Sequence, residues 1–322
     1  MLNRPEVVAE TTRRRVLAAI DELGFVRNES ARQLRTGRSR TLGLVVLDVA
    51  NPFFTDVARG VEALADEVGS VVMLCNSNED AERESRHLDL LLEQRAQGVL
   101  ITPVDGANPR IERLIDHGVP VVLVDRGSGR SNRCSVAVND VLGGRIAVEH
   151  LLERGHRHIV FVGGPFSIPQ VFDRHTGSQA AVDQSDLDAE ILVVETGSLQ
   201  VVEGRRAGRH IGELPAGQRP TAVFCANDLL ALGVLQEMTR QSLRVPHDVA
   251  IVGYDDIDFA SAAAVPLSSV RQPREQLGRT AAQLLIEEVT DGDRHRHRQV
   301  VFEPELVVRD SSALSRTHAG AA

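Results

Sequence analysis

From Thr41 onward the chain alternates short apolar runs with longer amphipathic stretches. The runs Leu42–Leu47, Val71–Leu74, Val99–Thr102, Val119–Val124, Ile159–Val162, Ile191–Val194, Ala222–Cys225 and Val249–Val252 are apolar at almost every position and rich in β-branched residues. That pattern predicts strands buried on both faces. Between them, Phe54, Val57, Val61, Leu64 and Val68 recur at intervals of three and four, as do Leu88, Leu91 and Leu92, and Ile146, Leu151 and Leu152. These are helical spacings. Strands joined by helical crossovers predict parallel sheets wound on both faces. About a dozen alternations are too many for one small sheet, so two Rossmann-like lobes with a cleft between them are expected. In such sheets ligands bind beyond the carboxyl ends of the strands, which singles out Asp48 to Pro52, Asp125-Arg126, Gly163-Gly164-Pro165, Ala226-Asn227-Asp228 and Gly253 to Asp256.

The first forty residues follow a different rule. Val8, Val16, Ala19, Ile20 and Leu23 form an apolar stripe at helical spacing, Arg13, Arg14 and Arg15 lie on its polar side, and Gly24 supplies a stop. One helix is expected there. The connector from Asn28 to Arg40 is polar and Arg-rich, with Leu34 its single large apolar side chain. About seven residues of it cannot hold a helix alone in water, because nucleation is costly, but they can fold on a partner.

Charge sharpens this division. The chain carries 36 basic and 45 acidic residues for a net charge of −9, yet residues 1–40 hold nine arginines against five acids. A basic head precedes an acidic body. Every basic side chain apart from the histidines is Arg, which suits a G+C-rich genome and is also compatible with phosphate contacts. No apolar run approaches the length of a membrane span, and the N-terminus has no apolar core of a secretory signal, so a cytoplasmic protein is expected. Cys75, Cys134 and Cys225 lie far apart without C-x-x-C spacing and read as reduced core residues.

Three further patterns invite chemistry and are not expected to hold it. Arg294-His295-Arg296-His297-Arg298 has the spacing of a histidine metal pair, but the flanking arginines repel a cation and no carboxylate is adjacent, so a solvated loop and no metal are expected. Asp255-Asp256-Ile257-Asp258 lacks the glycine and closing glutamate of a calcium loop. Gly163-Gly164-Pro165 lacks the rest of a phosphate loop. With no nucleophile paired to a base, an enzyme is not expected, nor any cofactor.

Several stretches resemble the lactose/galactose-repressor family of bacterial transcription regulators. They include Thr12 to Phe25, Ser30-Ala31-Arg32-Gln33-Leu34, Asn51-Pro52-Phe53-Phe54, Val124-Asp125-Arg126, Glu153 to Ile159, Ala226 to Gly233, and Val245 to Asp256, in family order from about residue 2 to 310. Met1-Leu2-Asn3 resembles only the end of the family's helix-turn-helix head, which implies a partial head and weak operator binding. The resemblance implies a two-lobed, periplasmic-binding-protein-like effector domain with two doubly wound parallel sheets. Its expected parts are a head remnant at 1–27, a hinge at 28–40, a first lobe at 41–155 with 272–292, a second lobe at 156–271 with 293–310, and a tail at 311–322.

It further implies a homodimer that binds operator DNA through Arg27, Asn28, Ala31, Arg32, Leu34 and Arg35. Leu34 would wedge between base steps of the minor groove, and the arginines would neutralise phosphates. A sugar-like effector would lie between the lobes against Asp48, Asn51, Phe53, Phe54, Arg126, Asp140, Arg174, Leu199, Asn227 and Asp255. Carboxylate, amide and guanidinium groups around an aromatic face suit a polyol. Asn227 and Asp255 equally suit helix caps, and Phe54 the core; both readings stand at this point. Leu199 sits where some relatives carry a stacking aromatic. Two functions follow: a ligand-responsive repressor, or the sugar-binding protein of a transport system, which shares the fold but needs export.

Overall fold

The computed structural model describes residues 8–23, 39–104, 106–127, 129 and 132–314. The chain divides into two units, Met1–Ser39 and Arg40–Ala322. Within the first, helix α1 (Glu10–Glu22) carries the expected stripe and buries none of its residues. Glu10 pairs with Arg13 at 2.6 Å and Arg14 at 3.4 Å, one helical turn away. Such exposed pairs contribute a few tenths of a kcal/mol each. Arg27, Asn28, Ala31, Arg32, Leu34 and Arg35 lie outside the described residues.

The second unit contains two six-stranded sheets. The first comprises β1 (Thr41–Val46), β2 (Val71–Asn76), β3 (Gly98–Ile101), β4 (Val121–Val124), β5 (Ser135–Val138) and the late strand β11 (Gln299–Phe302), in the order β11-β5-β4-β3-β1-β2 and parallel throughout. The second comprises β6 (His158–Gly163), β7 (Glu190–Glu195), β8 (Ala222–Cys225), β9 (Ala250–Asp255), β10 (Ser268–Arg271) and β12 (Glu305–Val307), in the order β12-β10-β9-β8-β6-β7. Only the β10–β12 pair is antiparallel. The central strands are buried at every position, as in β3, β4 and β8, which is why their sequences are continuously apolar rather than alternating.

Helices cover both faces. On the first sheet, α2 (Pro52–Glu67) and α10 (Arg274–Asp291) bury Phe54, Val57, Val61, Leu277 and Leu284 on one side. On the other, α3 (Ala81–Glu93) and α4 (Pro109–Asp116) bury Leu88, Leu91, Ile111 and Leu114. The second sheet is flanked by α5 (Asp140–Glu153), α6 (Pro169–Asp183), α7 (Val201–Glu213) and α8 (Asp228–Arg240), which share one continuous core with Phe161, Phe224 and Tyr254. A short helix, α9 (Asp258–Ala262), follows β9. Among the described residues no helix is long and apolar enough to cross a membrane.

Local signals start these helices where the strands end. Asn51, Asp80, Asn108, Asn139 and Asn227 each accept a backbone N–H with their side chain at the first turn of α2, α3, α4, α5 and α8. Proline at the first position adds a fixed φ to α2, α4 and α6. Glycine matters most where α5 meets α6. A Cβ on Gly144 would lie 1.9 Å from the carbonyl oxygen of Arg174, and one on Gly177 at 1.9 Å from that of Val141, so the two backbones touch only because both positions lack a side chain.

Two of the expected lobe boundaries change. Helix α5, placed with the first lobe by the boundary at 155, packs on α6, β8, β10 and β12 of the second. Residues 293–310, assigned to the second lobe, divide between them: β11 completes the first sheet and β12 the second. The chain therefore passes between lobes at three places, after β5, after β10 and after β11.

Candidate functional site

Residues that follow strands of both sheets converge on one narrow cleft. Its walls include Leu47, Asp48, Asn51, Phe53 and Phe54 after β1, Asp125 after β4, Gln170 and Arg174 on α6, Leu199 and Gln200 after β7, Asn227 after β8, and Asp255 at the end of β9. The cavity is about 40 Å³, counted as space open to the centre of a water molecule. The space is tight because polar groups from both walls meet across it.

The protein's own polar groups bridge the cleft. Gln200 Nε2 donates to Asp48 Oδ2 at 2.5 Å, Asn51 Nδ2 to Asp255 Oδ2 at 3.4 Å, and Gln170 Nε2 to the Asp125 carbonyl at 2.6 Å and its Oδ2 at 3.0 Å. Each bridge joins a residue of the first lobe to one of the second. A ligand rich in hydroxyls offers the same donors and acceptors and can replace these bonds as the lobes part.

Arg174 anchors the second-lobe side. Its guanidinium is buried, with Nε donating to Asp140 Oδ1 at 2.8 Å, Nη1 donating to the Ala226 carbonyl at 2.7 Å, and the Asp255 carboxylate 4.0 Å away. Its central carbon lies 3.7 Å from the centroid of the Tyr254 ring, a cation–π contact strengthened by the absence of water. Burial opposes its charge, but Asp140, Tyr254, Asp255 and Asp125 together hold it above the ordinary arginine value.

Three acids crowd one cation, and they do not all ionise freely. Burial, followed by the Asp140 charge, pushes Asp125 up to about 8; burial also lifts Asp255 to about 6, against the pull of Arg174. Asp125 therefore carries a proton near neutrality. Its Oδ1 is buried with no hydrogen-bond partner among the described residues, a cost usually avoided unless a ligand or water completes the site. Backbone strain marks the same positions, with φ of +55° at Asp125 and +101° at Asp255, conformations that non-glycine residues adopt mainly where function holds them.

The expected effector residues sort into three groups. Asp48, Asn51, Phe53, Phe54, Arg174, Leu199, Asn227 and Asp255 line the cleft. Asp140 stands behind the wall and orients Arg174. Arg126 is not among the lining residues; its neighbour Asp125 is. The competing roles prove compatible: Asn227 Oδ1 caps α8 through the Leu230 N–H at 2.9 Å while Nδ2 donates to the Leu199 carbonyl at 3.1 Å. Phe53 and Phe54 meet edge to face at 5.0 Å, so both belong to the core and to the wall. Asp125 and Tyr254 were singled out as strand-end positions but not as effector residues, and sequence reasoning missed Gln170 and Gln200 altogether. Gln170 had a legible signal, since it precedes Arg174 by one helical turn and shares its face.

Residues 148–312 match the periplasmic binding protein-like domain family. The chain is 32% identical over 318 residues to the HTH-type transcriptional repressor PurR of Aliivibrio fischeri (strain MJ11), covering 98% of this chain and 94% of the relative. Against the PurR of Vibrio cholerae serotype O1 (strain M66-2) it is 31% identical over 312 residues, covering 97% and 92%. Among solved structures, a LacI family transcriptional regulator from Enterococcus faecium with bound ribose superposes with a TM-score of 0.78 at 26% identity, over 86% of this chain and 100% of that one. A complex of the transcriptional regulator CelR with cellobiose gives 0.75 at 30% identity, over 97% and 95%.

Proposed function

Because the chain belongs to the LacI family of transcriptional regulators, and is a ligand-responsive repressor, we propose that its effector is a sugar held between the two lobes. The observation that carries this reading is the buried Arg174, fixed by Asp140 and stacked on Tyr254 with Asp255 and protonated Asp125 beside it. These groups offer paired donors and acceptors at fixed positions, and the Phe53–Phe54 edge supplies an apolar face for ring carbons. Neighbouring folds bind ribose and cellobiose in complexes of this kind. A transporter's sugar-binding protein is not favoured, since the relatives matched over 94% and 92% of their own length are repressors.

Polar bridges across the cleft tie binding to lobe movement. Effector entry must break the Asp48–Gln200, Asn51–Asp255 and Asp125–Gln170 bridges, and the lobes settle at a new separation set by the ligand. The effector controls DNA affinity by binding the two arrangements unequally. Induction, in which the sugar releases operator DNA, is the sign proposed. A homodimer is the proposed assembly, as two-fold proteins match palindromic operators. The exposed apolar side chains Val71 and Leu74 on β2, and Leu192 and Val193 on β7, are edge-strand surface that a partner would cover.

A panel of pentoses, hexoses and nucleosides, screened by thermal shift, tests the effector class. A sugar that binds only the folded state raises the melting temperature, and the increase should be lost in Asp255→Asn. Stabilisation by nucleosides alone, or an unchanged shift in Asp255→Asn, would overturn the sugar reading.

A further inference from the structure

We propose that the chain binds a divalent transition-metal ion, Zn²⁺ by the chemistry of its donors, between Cys134, Glu288, His295 and His297. The thiol, carboxylate and two imidazoles each offer one ligand atom, and the four atoms lie within 4.8 Å of one another. His295 Nε2 is 3.2 Å and His297 Nδ1 4.0 Å from Cys134 Sγ, and Glu288 Oε2 is 3.8 Å from His297 Nδ1. Tetrahedral Zn²⁺, with bonds of about 2.0–2.3 Å, brings such donors to roughly 3.3–3.6 Å apart. Side-chain rotations of about an ångström close that gap.

The expectation of a solvated loop rested on arginines nearby and carboxylates far off. Neither survives folding. Helix α10 ends at Asp291 and a single 3-10 turn, Gly292–Arg294, doubles the chain back, so Glu288 meets the two histidines. Arg298 pairs with Glu287 and the buried Arg133 with Glu112, while Arg294 and Arg296 are exposed. Arg298 and Arg133 thus each carry a carboxylate partner that offsets the charge they bring near the site.

Two features fit a thiolate centre. The backbone N–H of Arg298 donates to Cys134 Sγ at 3.2 Å, the outer-shell bond that stabilises a metal-bound sulfur once its proton leaves. Glu288 Oε2 is buried with no hydrogen-bond partner among the described residues, an acceptor that a cation would satisfy. Four protein ligands leave no open position, the mark of a structural rather than catalytic site. The site lies where β5 and β11 begin to pair, at Ser135 and Gln299. That end of the first sheet is opposite the cleft, so the ion would fasten the last strand of the sheet and the end of α10 to β5 without touching the effector.

The test uses the untagged full chain, stripped with chelator and titrated with Zn²⁺, then with Co²⁺ as a spectroscopic probe. One ion per chain is expected, with thiolate-to-cobalt absorption and the intense visible bands of tetrahedral Co²⁺. His297→Ala, at an exposed position that leaves the core intact, should weaken Zn²⁺ binding by more than ~100-fold, beyond the effect of losing an outer-shell partner. Cys134→Ser should abolish the thiolate band, and Cys75→Ser should keep it. Zn²⁺ should raise the melting temperature of the parent chain and not of His297→Ala. Failure to bind one ion, or equal binding by His297→Ala, would overturn the assignment.

Discussion

Arg174 is a structural residue as much as a recognition residue. It lies among Asp140, Asp255 and Asp125 where water is excluded, and removing one partner of a buried ion pair leaves the others uncompensated. Arg174→Ala should therefore destabilise the fold by about 3–5 kcal/mol at neutral pH, measured by urea unfolding. Asp140→Asn combined with Arg174→Met should cost less than Arg174→Met alone, because one orphan charge fewer remains; equal costs would show that the pair is not coupled. Asp125 gives a pH signature. Its folded-state value of about 8 lies above the ordinary 3.8, so the folded chain holds this proton more tightly than the unfolded chain. The stabilisation is full below 3.8 and is lost as pH rises through about 8. Unfolding of Asp125→Asn should lack that decline, and a parallel pH profile for both proteins would rule the proton out. At this scale the sequence was informative about residues beyond strand ends and blind to which of two neighbours turns inward. Asp125 and Arg126 follow the same strand, and only the positive φ at Asp125 decides that the carboxyl faces the cleft.

The elements were legible in proportion to their length and burial. All eight apolar runs are strands; six are central and apolar because both their faces are covered, whereas β2 and β7 lie at sheet edges and are largely exposed, against the expectation of burial on both faces. The strands not foreseen are β5, β10, β11 and β12, three or four residues each. Ser135, Ser268, Ser269, Gln299 and Glu305 interrupt their pattern, and their pairing depends on neighbours distant in sequence. The helix pair α5–α6 was also invisible, since a glycine inside a helix signals close approach only once its neighbour is known. Gly177→Ala should force these helices apart and disturb the Arg174–Asp140 contact, with a stability loss of at least 1–3 kcal/mol typical of overpacking. Tyr254 is the single tyrosine in a chain without tryptophan, so near-ultraviolet dichroism and tyrosine emission report this site directly. A wild-type Tyr254 signal in a folded Gly177→Ala variant would contradict the proposed coupling between helix packing and cleft.

Across the whole molecule, the lobes are joined by three passages of chain and by a few polar bridges across the cleft. That architecture converts occupancy of the cleft into relative lobe position. Coupling of this kind is typically 1–3 kcal/mol, roughly 5- to 150-fold in operator affinity, and it is reciprocal. Sugar affinity should therefore change by a factor in that range when operator DNA is added, read by titrating sugar with and without DNA, and the same affinity in both would exclude coupling. The two-lobed plan was readable from the number of alternations alone. The assignment of α5 and β11 to their lobes was not, because crossover segments carry no local mark of which sheet they cover.

The most direct measurement is a crystal structure of the chain with a sugar selected by thermal shift. It should show the ring between the lobes, with oxygens on Arg174 and Asp255, its carbons against Phe53 or Phe54, and the Asp48–Gln200 bridge broken. An unoccupied cleft at saturating sugar, or a sugar bound elsewhere with all three bridges intact, would contradict it.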